Sequence, residues 1–240
     1  MTSAASPGRS PGRLIGSGRA ADVYELDAHR VLRRYRDPFD VGAEAAVMMH
    51  LRAAGYPVPE VFDAEGSDLV LARLHGSDML ADLTRKPWMA ARHGRTLARL
   101  HDQLHEIEAP PQLHRPFGDG DRVLHLDLHP GNVMLTADGP VVIDWSNAAA
   151  GPPGADVAIA ALIMRVSEVD ALPLPVRTVA GIVRSRLVRR FETSASADIG
   201  PYLADAARLR IGDRNTRPAE ADRLRRLIDD HRGRPSADRL

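Results

Sequence analysis

The chain has 240 residues, with 32 Lys and Arg balanced by 32 Asp and Glu, and no cysteine. Zero formal net charge gives no reason to expect nucleic-acid binding, and the lack of cysteine excludes a disulfide scaffold and thiolate chemistry. The most apolar stretch, Val157 to Met164, ends at Arg165 and is far too short to span a bilayer, so a soluble cytoplasmic protein of one large or two small domains is expected.

Met1 to Arg13 holds Ser, Pro, Gly and Arg without an apolar core and reads as a disordered tail, not a signal peptide. Leu14 to Tyr24 then reads as strand, glycine-rich turn, strand, with Gly16, Ser17 and Gly18 in the turn and Val23 on the second strand. Residues without bulky side chains let backbone N–H groups approach a phosphate; an ordinary hairpin connection uses the same residues. In the next strand, Arg30 to Tyr35, alternation puts Val31 and Arg33 on one face and leaves Arg34 solvated on the other. Val41 to Ala54 is a helix with Ala45, Met48, Met49 and Leu51 toward one side and Glu44 in its first turns. Gly55 to Val61 closes it, and Asp68 to Leu74 is an apolar strand running into His75-Gly76.

Trp88 to Glu106 reads as one long helix with an apolar stripe of Leu97, Leu100 and Leu104. His93, His101 and His105 share its sequence, but Asp102 and Glu106 interrupt any clean ligand cluster, so they are placed on a helix surface beside the core. Beyond Asp156 the pattern is helical over about Ala155 to Val169, Val176 to Phe191, Pro201 to Ile211 and Pro218 to His231. This segment carries 16 Arg against 11 Asp and Glu, the wrong sign for a polycationic substrate, and Arg223, Arg225 and Arg226 read as a solvated face.

The chemistry is concentrated in His125-Leu-Asp-Leu-His-Pro-Gly-Asn-Val-Met-Leu135 and the following Val141-Val-Ile-Asp-Trp145. Asp127 can accept a proton from an attacking hydroxyl. Asn132, five residues on, offers a hard amide oxygen for magnesium, and Asp144, at the end of the apolar run Val141 to Ile143, offers a carboxylate for the same metal. His125 fits a structural role, hydrogen-bonding backbone near these groups, and His129 is not assigned to catalysis.

This spacing resembles the protein-kinase catalytic loop. His129-Pro130-Gly131 and Ile143-Asp144-Trp145 are more similar to the aminoglycoside phosphotransferase (choline kinase-like) family, as are Gly55-Tyr56-Pro57-Val58-Pro59 and Gly154-Ala155-Asp156-Val157-Ala158. The resemblance runs from about Leu14 to the helices after Asp156. It implies a helix-start Asp156 that holds the catalytic loop, ATP or GTP with magnesium as cofactors, and a small-molecule hydroxyl as acceptor. It also implies that Gly16, Ser17, Gly18 and Val23 cover the nucleotide, that Arg33 replaces the phosphate-pairing lysine with Glu44 as its partner, and that backbone near Arg73 and Leu74 meets the adenine edge. Two departures stand out: Ala21 replaces the third glycine of the kinase loop, and a planar guanidinium is not a geometric copy of an ammonium.

The expected architecture is an α+β, two-lobed protein-kinase-like fold. A β-rich lobe with one helix would span residues 14–74, and a mainly helical lobe residues 75–240, with Asp127 as base and Asn132 and Asp144 holding magnesium. The oligomeric state is not readable. A nucleotide-binding pseudokinase is the alternative favoured by Arg33 and Ala21; a protein kinase is disfavoured by the His-Pro-Gly insert and the lack of an Ala-Pro-Glu segment.

Overall fold

The computed structural model describes residues 11–167, 174–213 and 216–232. Residues 1–10 of the expected tail lie outside these, as does the end of the expected Ala155 to Val169 helix. Gly12 and Arg13, assigned to that tail, are instead paired with strand: the Gly12 amide donates to the Glu25 carbonyl (3.1 Å) and the Glu25 amide to the Arg13 carbonyl (2.9 Å).

In chain order come β1 (Leu14–Ser17), β2 (Ala21–Glu25), β3 (Arg30–Tyr35), α1 (Gly42–Ala53), β4 (Val61–Glu65), β5 (Asp68–Ala72), β6 (Ser77–Asp78), α2 (Met79–Arg85) and α3 (Ala90–Leu104). They are followed by β7 (Arg122–Leu124), β8 (Val133–Thr136), β9 (Gly139–Val142), β10 (Ala149–Gly151), α4 (Pro153–Val166), α5 (Leu174–Glu192), α6 (Leu203–Gly212) and α7 (Pro218–Arg232). The chain divides into two compact units. One is the chain up to Ser77 with Met134–Ser146, and the other is Asp78–Val133 with the chain from Asn147 onward. The division expected between residues 74 and 75 thus falls three residues later, and a segment near Asp144 returns to the first unit.

The first unit is an antiparallel sheet in the order β1-β2-β3-β5-β4. In β3 both Val31 and Leu32 are buried, on opposite faces of the sheet, while the Arg33 backbone lies opposite Val23 on one side and Leu69 on the other. Helix α1 buries Glu44, Ala45, Val47, Met48 and Leu51; Met49, expected on that face, is 53% exposed because it falls a quarter-turn away from Met48. The returning segment is locked in by the Val142 amide donating to the Pro57 carbonyl (2.8 Å) and by an edge-on contact between the Tyr56 and Trp145 rings, 5.7 Å apart.

The second unit is built around α4, which is apolar nearly all round and buried from Gly154 to Leu162. It packs with Leu124, Leu126, Ala206, Ala207 and Leu224 into one core. The expected long helix from Trp88 starts instead as a single 3-10 turn, Pro87–Met89, and Trp88 is exposed. Leu97, Leu100 and Leu104 are buried as the stripe required. Close packing against α5 needs Gly94, where a Cβ would stand 2.6 Å from the Leu187 carbonyl oxygen. The expected Pro201 to Ile211 helix is divided into a 3-10 turn, Gly200–Tyr202, and α6. Arg223 is not a solvated residue, since its Nη1 donates to the Val166 carbonyl (2.7 Å). No helix among the described residues is long and apolar enough to cross a membrane.

His93 and His101 in α3 and His105 just after it are buried, not superficial. His93 Nε2 meets Asp82 Oδ2 (2.9 Å), His105 Nε2 meets Asp156 Oδ2 (3.1 Å), and His101 stacks edge-on against Phe191 at 5.0 Å. No group of three potential metal-binding side chains is found among the described residues. His101 Nδ1 donates to the Leu97 carbonyl (2.9 Å), while the buried Nε2 has no hydrogen-bond partner among the described residues. Burial pushes its pKa down from 6.5 to about 4. The unfolded chain therefore binds the extra proton first, and stability is lost as pH falls from 6.5 to about 4. Denaturant titrations across that window should show a loss of up to about 3 kcal/mol, and His101→Leu should flatten the slope.

Candidate active site

In the first unit the sequence-predicted residues Arg33, Glu44 and Asp144 come together. Arg33 Nη1 donates to Glu44 Oε1 (2.7 Å) and Nη2 to Asp144 Oδ1 (2.5 Å), so one planar guanidinium bridges two carboxylates. Its Cζ lies 4.9 Å from the Tyr35 ring centroid, a cation–π contact. Glu44 also accepts from the Tyr35 hydroxyl (2.7 Å) and the Trp145 amide (3.1 Å). Burial pushes the Glu44 carboxyl up, against the pull of Arg33 and Tyr35. Burial also opposes the Arg33 charge, but Glu44 and Asp144 outweigh it and hold the guanidinium protonated. Glu44 is buried, with 3% exposure. Asp144 takes a left-handed backbone conformation, φ 67°, uncommon for a residue with a side chain, and accepts from the Ser146 hydroxyl as well.

The glycine-rich turn is more closed than its sequence suggests. Gly16 and Gly18 have no positive φ, and the Gly18 amide donates to the Ala21 carbonyl (2.9 Å). The Ser17 hydroxyl donates to Asp22 (2.7 Å), and Arg36, which sequence reasoning passed over, donates to Ser17, Asp22 and the Arg19 carbonyl. Val23 sits in β2 directly opposite Arg33. At the other end of the sheet the Arg73 amide, expected to meet an adenine edge, is taken by the His29 carbonyl (2.7 Å), and its guanidinium pairs with Glu25. β5 ends at Ala72, so Leu74 follows the strand and is half-buried.

In the second unit the short ladder between β7 and β10 delivers the chain to His125. Asp156, in the first turn of α4 and fully buried, accepts from the Leu126 amide (2.7 Å), the His125 amide (3.1 Å) and His105. Burial would raise this carboxyl, but His105, with His101 and His125, outweighs it and holds Asp156 far below the ordinary carboxylate range. The pull places Leu126 in the left-handed region, φ 60°. His125 Nδ1 then accepts from the Asp127 amide (3.2 Å), the structural role expected of it. Asn132 Nδ2 donates to the Asp127 carbonyl (2.9 Å) and carboxylate (3.3 Å). With its NH₂ group so engaged, the Asn132 amide oxygen is left as the hard acceptor. His129 Nδ1 accepts from the Gly131 amide (3.1 Å), capping the turn Pro130–Asn132.

One residue at this loop had no sequence signal. Arg210 Nη1, from the last turn of α6, lies 3.5 Å from Asp127 Oδ1 and 3.0 Å from Asp213 Oδ2.

Residues 11–122 and 103–187 match the model of the phosphotransferase enzyme family, and the chain belongs to that family. No curated protein sequence matches it. Among solved structures, a choline/ethanolamine kinase family protein from Mesorhizobium loti aligns with 95% of this chain and 90% of its own at TM-score 0.60 and 15% identity. A thermostable mutant of aminoglycoside phosphotransferase APH(4)-Ia aligns over 94% and 97% at TM-score 0.63 and 16% identity. APH(2")-IIa, in its streptomycin–ATP ternary complex, aligns over 85% of both chains at TM-score 0.55 and 12% identity. At these identities the likeness is one of fold: α+β and protein-kinase-like.

The two arginines of β3 should behave differently in unfolding experiments. Arg33→Ala strands the buried Glu44 carboxylate and should cost about 3–5 kcal/mol. Arg34 pairs with Asp68 from a side chain 36% exposed, so Arg34→Ala should cost under about 1 kcal/mol. Equal losses would mean that Glu44 is sustained without Arg33.

Proposed function

We propose that this phosphotransferase moves the γ-phosphoryl group of ATP or GTP to a hydroxyl of a small molecule. The observation that supports it most is the loop geometry: Asp156 fixes the backbone at His125 and Leu126, and Asn132 holds the Asp127 carboxylate from within the same loop. Asp127 takes the proton of the attacking hydroxyl, with a carboxylate side chain 23% exposed and so within reach of a substrate. Asn132 and Asp144 are the oxygen donors for magnesium. The donor types fit that ion, which keeps several waters and needs few protein ligands, and when bound it supplies charge neutralisation at the phosphates. Arg33 and the turn Gly16-Ser17-Gly18, with Val23, grip the nucleotide phosphates in this reading, and the chain at Arg73 and Leu74 borders the base. The name of APH(2")-IIa's complex carries an antibiotic and that of the Mesorhizobium loti protein choline or ethanolamine, so small hydroxylated molecules are the acceptor class to test.

A second reading has one specific observation in its favour. Asp144, the proposed metal ligand, is held by Arg33 at 2.5 Å, an arrangement suited to a nucleotide-binding regulator that does not turn over. Labelled phosphoryl transfer from ATP to a library of hydroxylated small molecules decides between them: transfer supports the enzyme, and nucleotide binding without transfer supports the regulator. Asp127→Asn should keep nucleotide affinity and lose about 10²–10⁴-fold in turnover. Asp144→Ala should lose the magnesium-dependent part of nucleotide affinity, read by calorimetry with and without the metal; equal affinity in both proteins would remove Asp144 from metal binding.

A further inference from the structure

We infer that Arg210 makes this a kinase for acceptors carrying an oxyanion, a carboxylate or a phosphate ester, a few bonds from the hydroxyl that is phosphorylated. The inference rests on the assignment of Asp127 as the base. An acceptor hydroxyl bonded to Asp127 lies beside the guanidinium, because Arg210 Nη1 is 3.5 Å from Asp127 Oδ1. Arg210 is not mobile surface charge: its side chain is 12% exposed and its Nη1 is anchored by Asp213 Oδ2 at 3.0 Å. Its carbonyl accepts from the Thr216 hydroxyl (2.6 Å), which fixes the end of α6.

Both carboxylates are served by the same nitrogen. The other edge of the fork, Nε and Nη2, has no protein hydrogen bond among the described residues. Three of the five guanidinium donors are therefore unused, and two of them, Nε–H and one Nη2–H, form the edge whose geometry matches a carboxylate or phosphate with two parallel hydrogen bonds. An ammonium group on the acceptor at the same place would meet a partly desolvated cation instead. The charge of the surrounding chain agrees, since the segment after Asp156 carries 16 Arg against 11 Asp and Glu.

The test uses four three-carbon probes that share vicinal hydroxyls or their phosphate ester and differ in charge: glycerate, glycerol 3-phosphate, glycerol and 3-aminopropane-1,2-diol. Binding to the full chain is read by saturation-transfer NMR, and phosphorylation by ATP-dependent product formation. Glycerate or glycerol 3-phosphate should bind about 10–100-fold more tightly than glycerol, and the amine most weakly. Arg210→Gln should erase the preference, and Arg210→Lys should keep part of it, since the charge remains and the fork is lost. Arg208→Ala, an exposed change on the same helix, should leave the order intact. The stronger of the two anions identifies the group. Equal binding of all four, no binding of any, a preference for glycerol or the amine, or an anion preference that survives Arg210→Gln overturns the inference. Transfer to the neutral or amino compound with that result would leave the kinase reading standing. Arg210-dependent anion binding with no transfer to any probe or to the wider library would sink the kinase reading and support the anion site.

Discussion

The buried carboxylate of Asp156 is the interaction on which the geometry of the second unit's loop depends. A carboxylate with no solvent exposure costs several kcal/mol to bury unless its oxygens are fully met, and here two loop amides and an imidazole meet them. Its place in the first turn of α4 adds the favourable end of the helix dipole. Because α4 is buried from Gly154 to Leu162, the carboxylate is a fixed point, and the loop bends to it. The left-handed Leu126 is the result, a strain of order 1–3 kcal/mol sustained by a 2.7 Å hydrogen bond. The direction of the Asp127 side chain follows from that bend.

The first unit solves a different electrostatic problem. A lysine presents a compact point charge, whereas Arg33 reaches Glu44 and Asp144 with separate nitrogens. The cluster of one cation and two carboxylates keeps a net negative charge. That is a suitable resting state for a group proposed to receive a divalent metal with its phosphates. Tyr35 and the Trp145 amide complete the coordination of Glu44 and let it stay buried.

What the sequence revealed and withheld follows the distance over which each interaction acts. Part of the loop from His125 to Asn132 is legible because the bonds that tie Asp127 to His125 and Asn132 close within five residues, and β3 is legible because alternation alone fixes which arginine turns toward Glu44. Asp156 could be assigned through family resemblance, but its partner His105 lies 51 residues away and was read as surface. Arg210 is 83 residues from Asp127, and nothing in its neighbourhood distinguishes it from the other arginines of the helical segment. Trp88 reads as helical because composition cannot show that Pro87 tightens the first turn into a 3-10 form. That the Arg73 amide is taken by the His29 carbonyl has no counterpart in the sequence, because a paired strand-end amide reads there like an unpaired one.

The return of Met134–Ser146 to the first unit has a consequence for synthesis on the ribosome. Chain emerging in order presents all five strands of the sheet by Ala72, yet Glu44 still awaits the Trp145 amide and Arg33 still awaits Asp144. Until some seventy further residues have left the exit tunnel, a buried carboxylate in α1 lacks part of its hydrogen bonding and Tyr56 lacks its aromatic neighbour. The nascent sheet is therefore an incomplete folding unit. Its completion is postponed until the segment Met134–Ser146 has been made.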